Sequence, residues 1–564
     1  MVMSKSKFLI FCSLFLISYS SIAQTKHIAK KPVQHMPVEH ALIGRPKLVV
    51  GIVIDQMRWD YLYKYNELFK ADGGFKRLLN NGFSCENTFI PYVPTVTGAG
   101  HTCIYTGSVP AIHGIVGNNW VDNIDHKRYY CTDDSTVRTV GDTSVDIRMS
   151  PRNMFTTTIG DELRMGTNFQ SKVIGISLKD RAAILPAGHA ANAAYWYDKK
   201  GNFISTNYYM DSIPLWLQTF NKRKIADSLY SLGWVQYLPW NLVTQSYPYT
   251  QYAEDASAYG DKPFGKNQTE LPYDLSKYIG KDYGKIASTP QGNVLLEMMA
   301  EATISNEHLG KGRSTDMLAL SFSSPDYIGH AFGPDSYEQL DDYARLDAIL
   351  GKFFNYLDST VGKDQYVVFL TADHGVSHIP GFDSLHHLPG GYFDGDSIVK
   401  DMNKQLATFA GDSLVVGIDN FQVYLDHAHF ISNVKLQVLK DWVINYLQQQ
   451  PSVAQAFDLK DVNAYPITAT QKECVINGYF QERSGDIQII VKPGFVEGDG
   501  PADSHGVWNP YDSHIPLLWY GWGIKHGATN RETYMTDIAP TVTALLHIQM
   551  PDGCIGKVIP EVMK

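Results

Sequence analysis

Asp55, Asp326 and Asp373, with the histidines His330, His374, His505 and His514, are the residues of this sequence whose types and spacing could do chemistry together. Asp55 ends the β-branched run "KLVVGIVIDQ". Asp326 follows "LALSFSSP", with His330 four residues on. Asp373 and His374 end "VVFLTADHG", and His505 and His514 stand in "ADSHGVWNPYDSHIP". Taken singly, each has a structural explanation. An Asp after a strand is a common turn or cap residue, and Asp326 with His330 at i,i+4 fits a surface pair. Taken together, separate strands deliver carboxylates and imidazoles to one edge of a sheet. Crowded into a dry cleft, the like-charged carboxylates raise one another's pKa, at a cost on the order of several kcal/mol. Divalent cations remove that cost. Mixed Asp/His ligation suits Zn²⁺, with Mn²⁺ or Fe²⁺ also accommodated. Six ligands divide into two sites of three, each keeping a position open for a substrate oxygen. Two such ions about 4 Å apart suit phosphoryl displacement.

A nucleophile for that reaction is offered by "PTVTGAGHTCIYTG". Thr97 begins a stretch that reads as a helix. One reading makes it a helix cap. The other makes it an attacking hydroxyl at a helix start, where backbone N–H groups favour anions. An alcohol needs a base or a metal to act at neutral pH. On the second reading, Gly98, Ala99 and Gly100 are small so that an anion can approach the backbone.

The elements that must position these residues are strands buried on both faces. "KLVVGIVIDQ", "KVIGISL", "DMLALSFSSP", "YVVFLTADHG" and "HIPLLWYG" are near-continuous apolar runs, the pattern of parallel strands. Helical segments alternate with them. The clearest runs from Ser336 to about Leu357, with Ser336 and Gln339 as a capping box and Leu340, Tyr343, Leu346, Leu350, Phe353 and Leu357 as its apolar face. The predicted fold class is α/β: a mainly parallel central sheet with helices on both faces. Ligands of such sheets bind at the carboxyl ends of the strands. Two stretches break the rhythm and read as insertions, at about 195–290 and about 382–501. The second has a small α+β pattern of its own.

The bulk properties narrow the function. A formal net charge of −10 argues against nucleic acid or an anionic membrane as a general partner. Residues 1–23 read as a signal peptide: Lys5 and Lys7 precede an apolar run from Phe8 to about Ile17, and Ser21-Ile22-Ala23 offers a cleavage site after Ala23. Residues 24–46 read as a tether, and 47–564 as the catalytic domain. The expected compartment is periplasmic or extracellular. Without the leader, Cys85, Cys103, Cys131, Cys474 and Cys554 are left, an odd number with no CxxC pair. At least one is therefore unpaired within the chain.

The segments "VVGIVIDQMRWDYL", "PTVTGAGHTCIYTGSVPAIHGIVGNNW", "SLKDRAAILPAGH", "SSPDYIGHAFGP", "LTADHG", "SHG" and "HIPLLWYG" resemble the alkaline phosphatase superfamily, in particular its secreted bacterial phosphatases of the PafA type, which are related to nucleotide pyrophosphatases and phosphodiesterases. The resemblance runs from about Lys47 to the end. It implies two Zn²⁺ ions, one held by Asp55, Asp373 and His374 with Thr97 on its substrate side, the other by Asp326, His330 and His505. His505 is preferred to His514 because the family ligand sits in a His-Gly pair. It further implies a covalent phosphothreonine on Thr97, with Asn118, in preference to Asn119, and Lys179 and Arg181 contacting phosphoryl oxygens. The charges suit a monoester: two Zn²⁺ are balanced by three carboxylates and an alkoxide, and a dianion then needs the two cations of "KDR". The expected unit is a monomer acting on small phosphate monoesters, with no nucleic-acid partner and no membrane span. A nucleotide phosphodiesterase of the same superfamily is the alternative, and a secreted binding protein with a structural metal is the rival outside catalysis.

Overall fold

The structure, a computed structural model, describes residues 44–239, 263–264, 271–410, 413–427, 433–498 and 503–564. The expected signal peptide, nearly all of the tether and part of the first expected insertion lie outside them. Among the described residues no helix is long and apolar enough to cross a membrane.

The core is an 11-stranded sheet. Its labelled strands are β1 (Leu48–Ile54), β2 (Phe83–Phe89), β3 (Val173–Ser177), β4 (Ala193–Tyr197), β5 (Phe203–Thr206), β6 (Asp316–Phe322), β7 (Tyr366–Thr371) and β8 (Leu517–Gly521). Five run parallel, in the order β7-β1-β6-β3-β4. Every residue of β1, β6 and β7 is buried, because helices cover both faces; this is why the runs carry no polar alternation. The last stretch, "HIPLLWYG", departs from the parallel rule: β8 runs antiparallel between β7 and β2. β4 and β5 extend the sheet at its other side, so Tyr195 stands inside a sheet strand.

Register fixes the site. Val53 of β1 is level with Ser321 of β6 and Thr371 of β7, and Ser321 is level with Ser177 of β3. The carboxyl ends of four neighbouring strands therefore finish on one line. Two helices start beside that line. α1 (Thr97–Thr106) is buried along its whole length and ends at Gly107 in the left-handed region. α2 (Ser324–Phe332) opens with Pro325 in its first turn and stops at Gly333. The helix at Tyr337–Leu357 forms half of its expected capping box: Ser336 accepts from Gln339 N at 3.1 Å, but the Gln339 amide donates to the Pro325 carbonyl instead.

The α+β pattern in the second insertion is a four-stranded antiparallel sheet. Val415–Asp419, Gln422–Leu425, Ile487–Val491 and Val453–Asp458 lie side by side in that order. Helices Gly395–Ala410 and Asn433–Gln448 accompany it, and Met402, Leu406, Val423, Val443, Leu447 and Ile487 are buried in its own core. Its first two strands are joined by a two-residue turn, Asn420 and Phe421, with φ 55° and 58°. Asn tolerates that conformation, while a bulky residue there costs about 1–2 kcal/mol. All five described cysteines are free thiols.

Candidate active site

Each strand end contributes a charged side chain. Asp55 follows β1 directly, and Lys179 lies two residues past β3. Asp326 stands in the first turn of α2, just beyond β6, where a helix start favours a carboxylate. Asp373 lies two residues past β7. His330 is one turn after Asp326 on the same helix, and its Nε2 lies 3.2 Å from Asp326 Oδ1. The segment before β8 brings His505 to the same place, with Nε2 4.0 Å from Asp326 Oδ1.

Two sets of ligand atoms each fall within 4.8 Å of one another: Asp326 with His330 and His505, and Asp55 with Asp326 and His374. The first is the trio expected from the sequence. The second has Asp326 where Asp373 was expected. Asp373 turns Oδ1 to the backbone N–H groups of Gln56 (3.1 Å) and His374 (3.0 Å), while its Oδ2 lies 3.5 Å from His374 Nε2. Asp326 thus stands in both groups.

The donor set fits divalent metal. Each of the three imidazoles commits Nδ1 elsewhere: His374 to the Gly375 carbonyl (2.9 Å), His505 to the Thr95 carbonyl (2.7 Å), and His330 to the Asp503 carbonyl (3.3 Å). A carbonyl only accepts, so the proton sits on Nδ1 and Nε2 presents a lone pair, the tautomer metal ligation requires. Burial, reinforced by His374 and His330, holds His505 well below the usual imidazole range. Asp55 Oδ1 and Asp373 Oδ2 are buried without a hydrogen-bond partner. Burial and then the charges of Asp326 and Asp373 drive the Asp55 carboxyl well up. Such orphaned oxygens are what a cation would satisfy.

Thr97 is the first residue of α1, with Val96 in the capping position, and its side chain caps nothing. Its hydroxyl is buried, 3.5 Å from His374 Nε2 and 3.5 Å from Arg181 Nη2. Arg181 Nη1 donates to Tyr130 Oη (3.0 Å), which itself donates to Asp180 (2.9 Å). Asn118 Oδ1 accepts from Gly98 N at 2.8 Å, and its amide N–H₂ is not used in that bond. The neighbouring Asn119 enters a hairpin strand, Asn119–Val121. Lys179 differs from its expected contacts. Its Nζ lies 2.5 Å from both Asp55 Oδ2 and Asp326 Oδ2, so the ammonium bridges the two carboxylates. Burial opposes its charge, but Asp326 and Asp55 more than compensate and raise its pKa. His514 stays out of the cluster, stacked between Trp59 (4.5 Å) and Phe89 (4.6 Å) with Nε2 on the Glu86 carbonyl.

The small residues after Thr97 have a different cause from the one the sequence suggested. A Cβ on Gly100 would lie 2.4 Å from the Asp373 carbonyl oxygen, so the glycine lets α1 press against the backbone of Asp373. Ala99 is fully buried in the core, and Gly98 N is taken by Asn118. Anion approach does not explain them. Gly100→Ala is expected to cost about 2–3 kcal/mol of stability, as overpacking against rigid backbone does, and to lower metal retention. Chemical denaturation and metal analysis measure both; a cost below about 0.5 kcal/mol would contradict the packing.

Sequence reasoning passed over the residues that orient the candidate ligands. Gln56, at φ 66°, donates its side-chain amide to Asp326 Oδ1 (3.1 Å). His101 reaches back one turn to the Thr97 carbonyl (3.0 Å), lies 3.3 Å from Asp373 Oδ2, and meets Ser321 Oγ at 2.8 Å. Asp503 holds His330. Spacing was an available signal for His101, four residues after Thr97, and for Asp503, two before His505.

Residues 49–512 match the family described as type I phosphodiesterase / nucleotide pyrophosphatase. The alkaline phosphatase PhoV of Synechococcus elongatus is 47% identical over 564 residues, covering 98% of each chain. The alkaline phosphatase PafA of Elizabethkingia meningoseptica is 47% identical over 527 residues, 92% of this chain and 95% of that one. The crystal structure of wild-type alkaline phosphatase PafA superposes with a TM-score of 0.87 at 46% identity, over 93% of this chain and 100% of that one. With a matching fold and ligand-bearing strand ends already in place, the chain belongs to the type I phosphodiesterase / nucleotide pyrophosphatase family and, within it, to the alkaline phosphatases of the PafA/PhoV type.

Proposed function

We propose that this alkaline phosphatase hydrolyses phosphate monoesters through a covalent phosphothreonine on Thr97, with Asp55, Asp373 and His374 holding one zinc ion, Asp326, His330 and His505 the other, and Asp326, which also groups with Asp55 and His374, supporting both. The observation that carries the reading is the position of the Thr97 hydroxyl: buried, free of any capping role, and between His374 Nε2 and Arg181 Nη2. When bound, the two ions lower the pKa of the attacking hydroxyl and stabilise charge on the leaving oxygen.

The rest is done by side chains. Thr97 loses its proton to solvent, its Oγ1 bonds to phosphorus, and the ester oxygen departs with the electron pair of the broken P–O bond. Arg181 and the Asn118 amide bind the non-bridging oxygens as they flatten and spread. Tyr130 holds the Arg181 fork for that contact. Water then attacks phosphorus, the Oγ1–P bond breaks, and Thr97 regains a proton as inorganic phosphate leaves. Lys179, between Asp55 and Asp326, neutralises part of the carboxylate charge that would otherwise repel the dianion. Its reach to a phosphoryl oxygen rests on the family resemblance alone. The leader of residues 1–23 supports export to the periplasm or beyond, and nothing in the reading requires a second copy of the chain.

The family match to phosphodiesterases makes diester cleavage the rival. A monoester carries one more negative charge than a diester, so a guanidinium at the phosphoryl group should favour it. Arg181→Ala is expected to lower kcat/KM for an aryl phosphate monoester by about 10²-fold or more, and for the matching diester by less than about tenfold. Equal losses on the two substrates would remove Arg181 from this role and reopen the diesterase reading.

A further inference from the structure

The inserted subdomain touches the substrate side of the core through the turn at Asn420 and Phe421. Asn420 Nδ2 donates to the Asn119 carbonyl at 3.0 Å. It also lies so near Gly117 that a Cβ there would come within 2.4 Å of the same nitrogen. Gly117 and Asn119 flank Asn118. The contact is braced from both sides. Arg128, on the strand paired with Asn119–Val121, donates Nη1 to Asp419 Oδ2 at 2.9 Å. The Phe421 carbonyl accepts from Ile489 N (2.8 Å) and Gln488 Nε2 (3.1 Å), so the turn is anchored in its own sheet. The Phe421 ring packs against Gly506, beside His505; a Cβ on Gly506 would lie 3.3 Å from it. Two residues with φ above zero are thus held in a tight turn: Asn420 reaches the active-site rim, while the Phe421 ring stays buried in the subdomain's core beside Phe393 and meets Gly506 at its edge.

We propose that Asn420 is a positioning residue for phosphoryl recognition: the subdomain turn fixes the loop 117–119 and so aims the Asn118 amide. The proposal rests on the reading of Asn118 as a phosphoryl donor. Among the described residues, Asn420 bonds neither to Thr97 nor to a ligand carboxylate or imidazole, so its effect passes through Asn118. That makes the two positions non-additive, which residues with independent roles are not.

The test is a double-mutant cycle on the full-length enzyme. Asn420→Asp and Asn420→Gly both tolerate φ above zero, and neither has the amide donor. Each is made alone and with Asn118→Ala, and kcat and KM are measured with an aryl phosphate monoester, alongside zinc content and Tm. In the parent background, each is expected to lower kcat/KM by about 5–30-fold, in line with a lost hydrogen bond that orients a catalytic group. With Asn118→Ala already present, no further loss beyond about twofold is expected, and zinc content is unchanged throughout. Additive losses, or loss of zinc, would overturn the proposal, because Asn420 would then be acting on something other than Asn118. A silent Asn420 beside a costly Asn118→Ala overturns the proposal alone. A silent Asn118→Ala overturns the reading of Asn118 as well.

Discussion

Thr97→Val is expected to abolish turnover of phosphate monoesters, with kcat/KM falling by about 10⁴-fold or more, while the protein stays folded and keeps its metal. The size of the loss follows from chemistry: valine has the same shape and no oxygen to bond to phosphorus. The integrity of the fold follows from geometry. Thr97 is 1% exposed and its hydroxyl makes two long contacts, at 3.5 Å to His374 Nε2 and 3.5 Å to Arg181 Nη2, so a methyl in its place fills the same space and removes little that holds the fold. Thr97→Ser, which keeps the oxygen, is expected to stay within about 10²-fold of the parent. Activity is measured with an aryl phosphate, fold by circular dichroism, metal by elemental analysis. A valine variant with more than about 1% of parental activity would mean that another atom attacks phosphorus.

Asp326→Asn should produce the second-largest effect, and a broader one. Asp326 is shared by both candidate ligand groups, with Oδ1 near His330 and His505 and Oδ2 on Lys179. Burial pushes against its charge, yet the Lys179 ammonium holds its carboxyl well below the usual range. The asparagine keeps the shape and removes that charge. Its amide N–H₂ also faces groups that expect an acceptor, and an unpaired buried cation costs several kcal/mol, about 3–5. The expected result is loss of about 10³-fold or more in kcat/KM, together with loss of bound metal after gel filtration. His330→Gln, by contrast, touches only one group and should leave the other ion in place. Retention of two metal equivalents per chain by Asp326→Asn would show that the shared position is not a ligand.

The sequence made the central strands legible because β1, β6 and β7 are covered on both faces and read as unbroken apolar runs. Asp55, Asp326 and Asp373 could be placed at one edge because parallel strands all end there. The antiparallel direction of β8 was not legible: a buried strand has the same apolar pattern whichever way it points. The sharing of Asp326 between two groups was also out of reach, since it depends on a one-turn helix offset past β6 and on rotamers. The contacts of Lys179 depend likewise on side-chain reach. Asn420 could not have been singled out, because its meaning lies in a long-range contact with Asn119. His101 was within reach of a helical-spacing argument from Thr97.

The level carboxyl ends of β1, β6, β3 and β7 have a consequence for how the enzyme is made. The candidate site draws on residues as far apart in the chain as Asp55 and His505. Pairing so remote in the chain is slow to form. No fragment or half-formed intermediate can present a complete set of ligands, so catalytic competence appears only when the whole sheet has closed. Released phosphate therefore counts finished molecules and is blind to partly assembled ones.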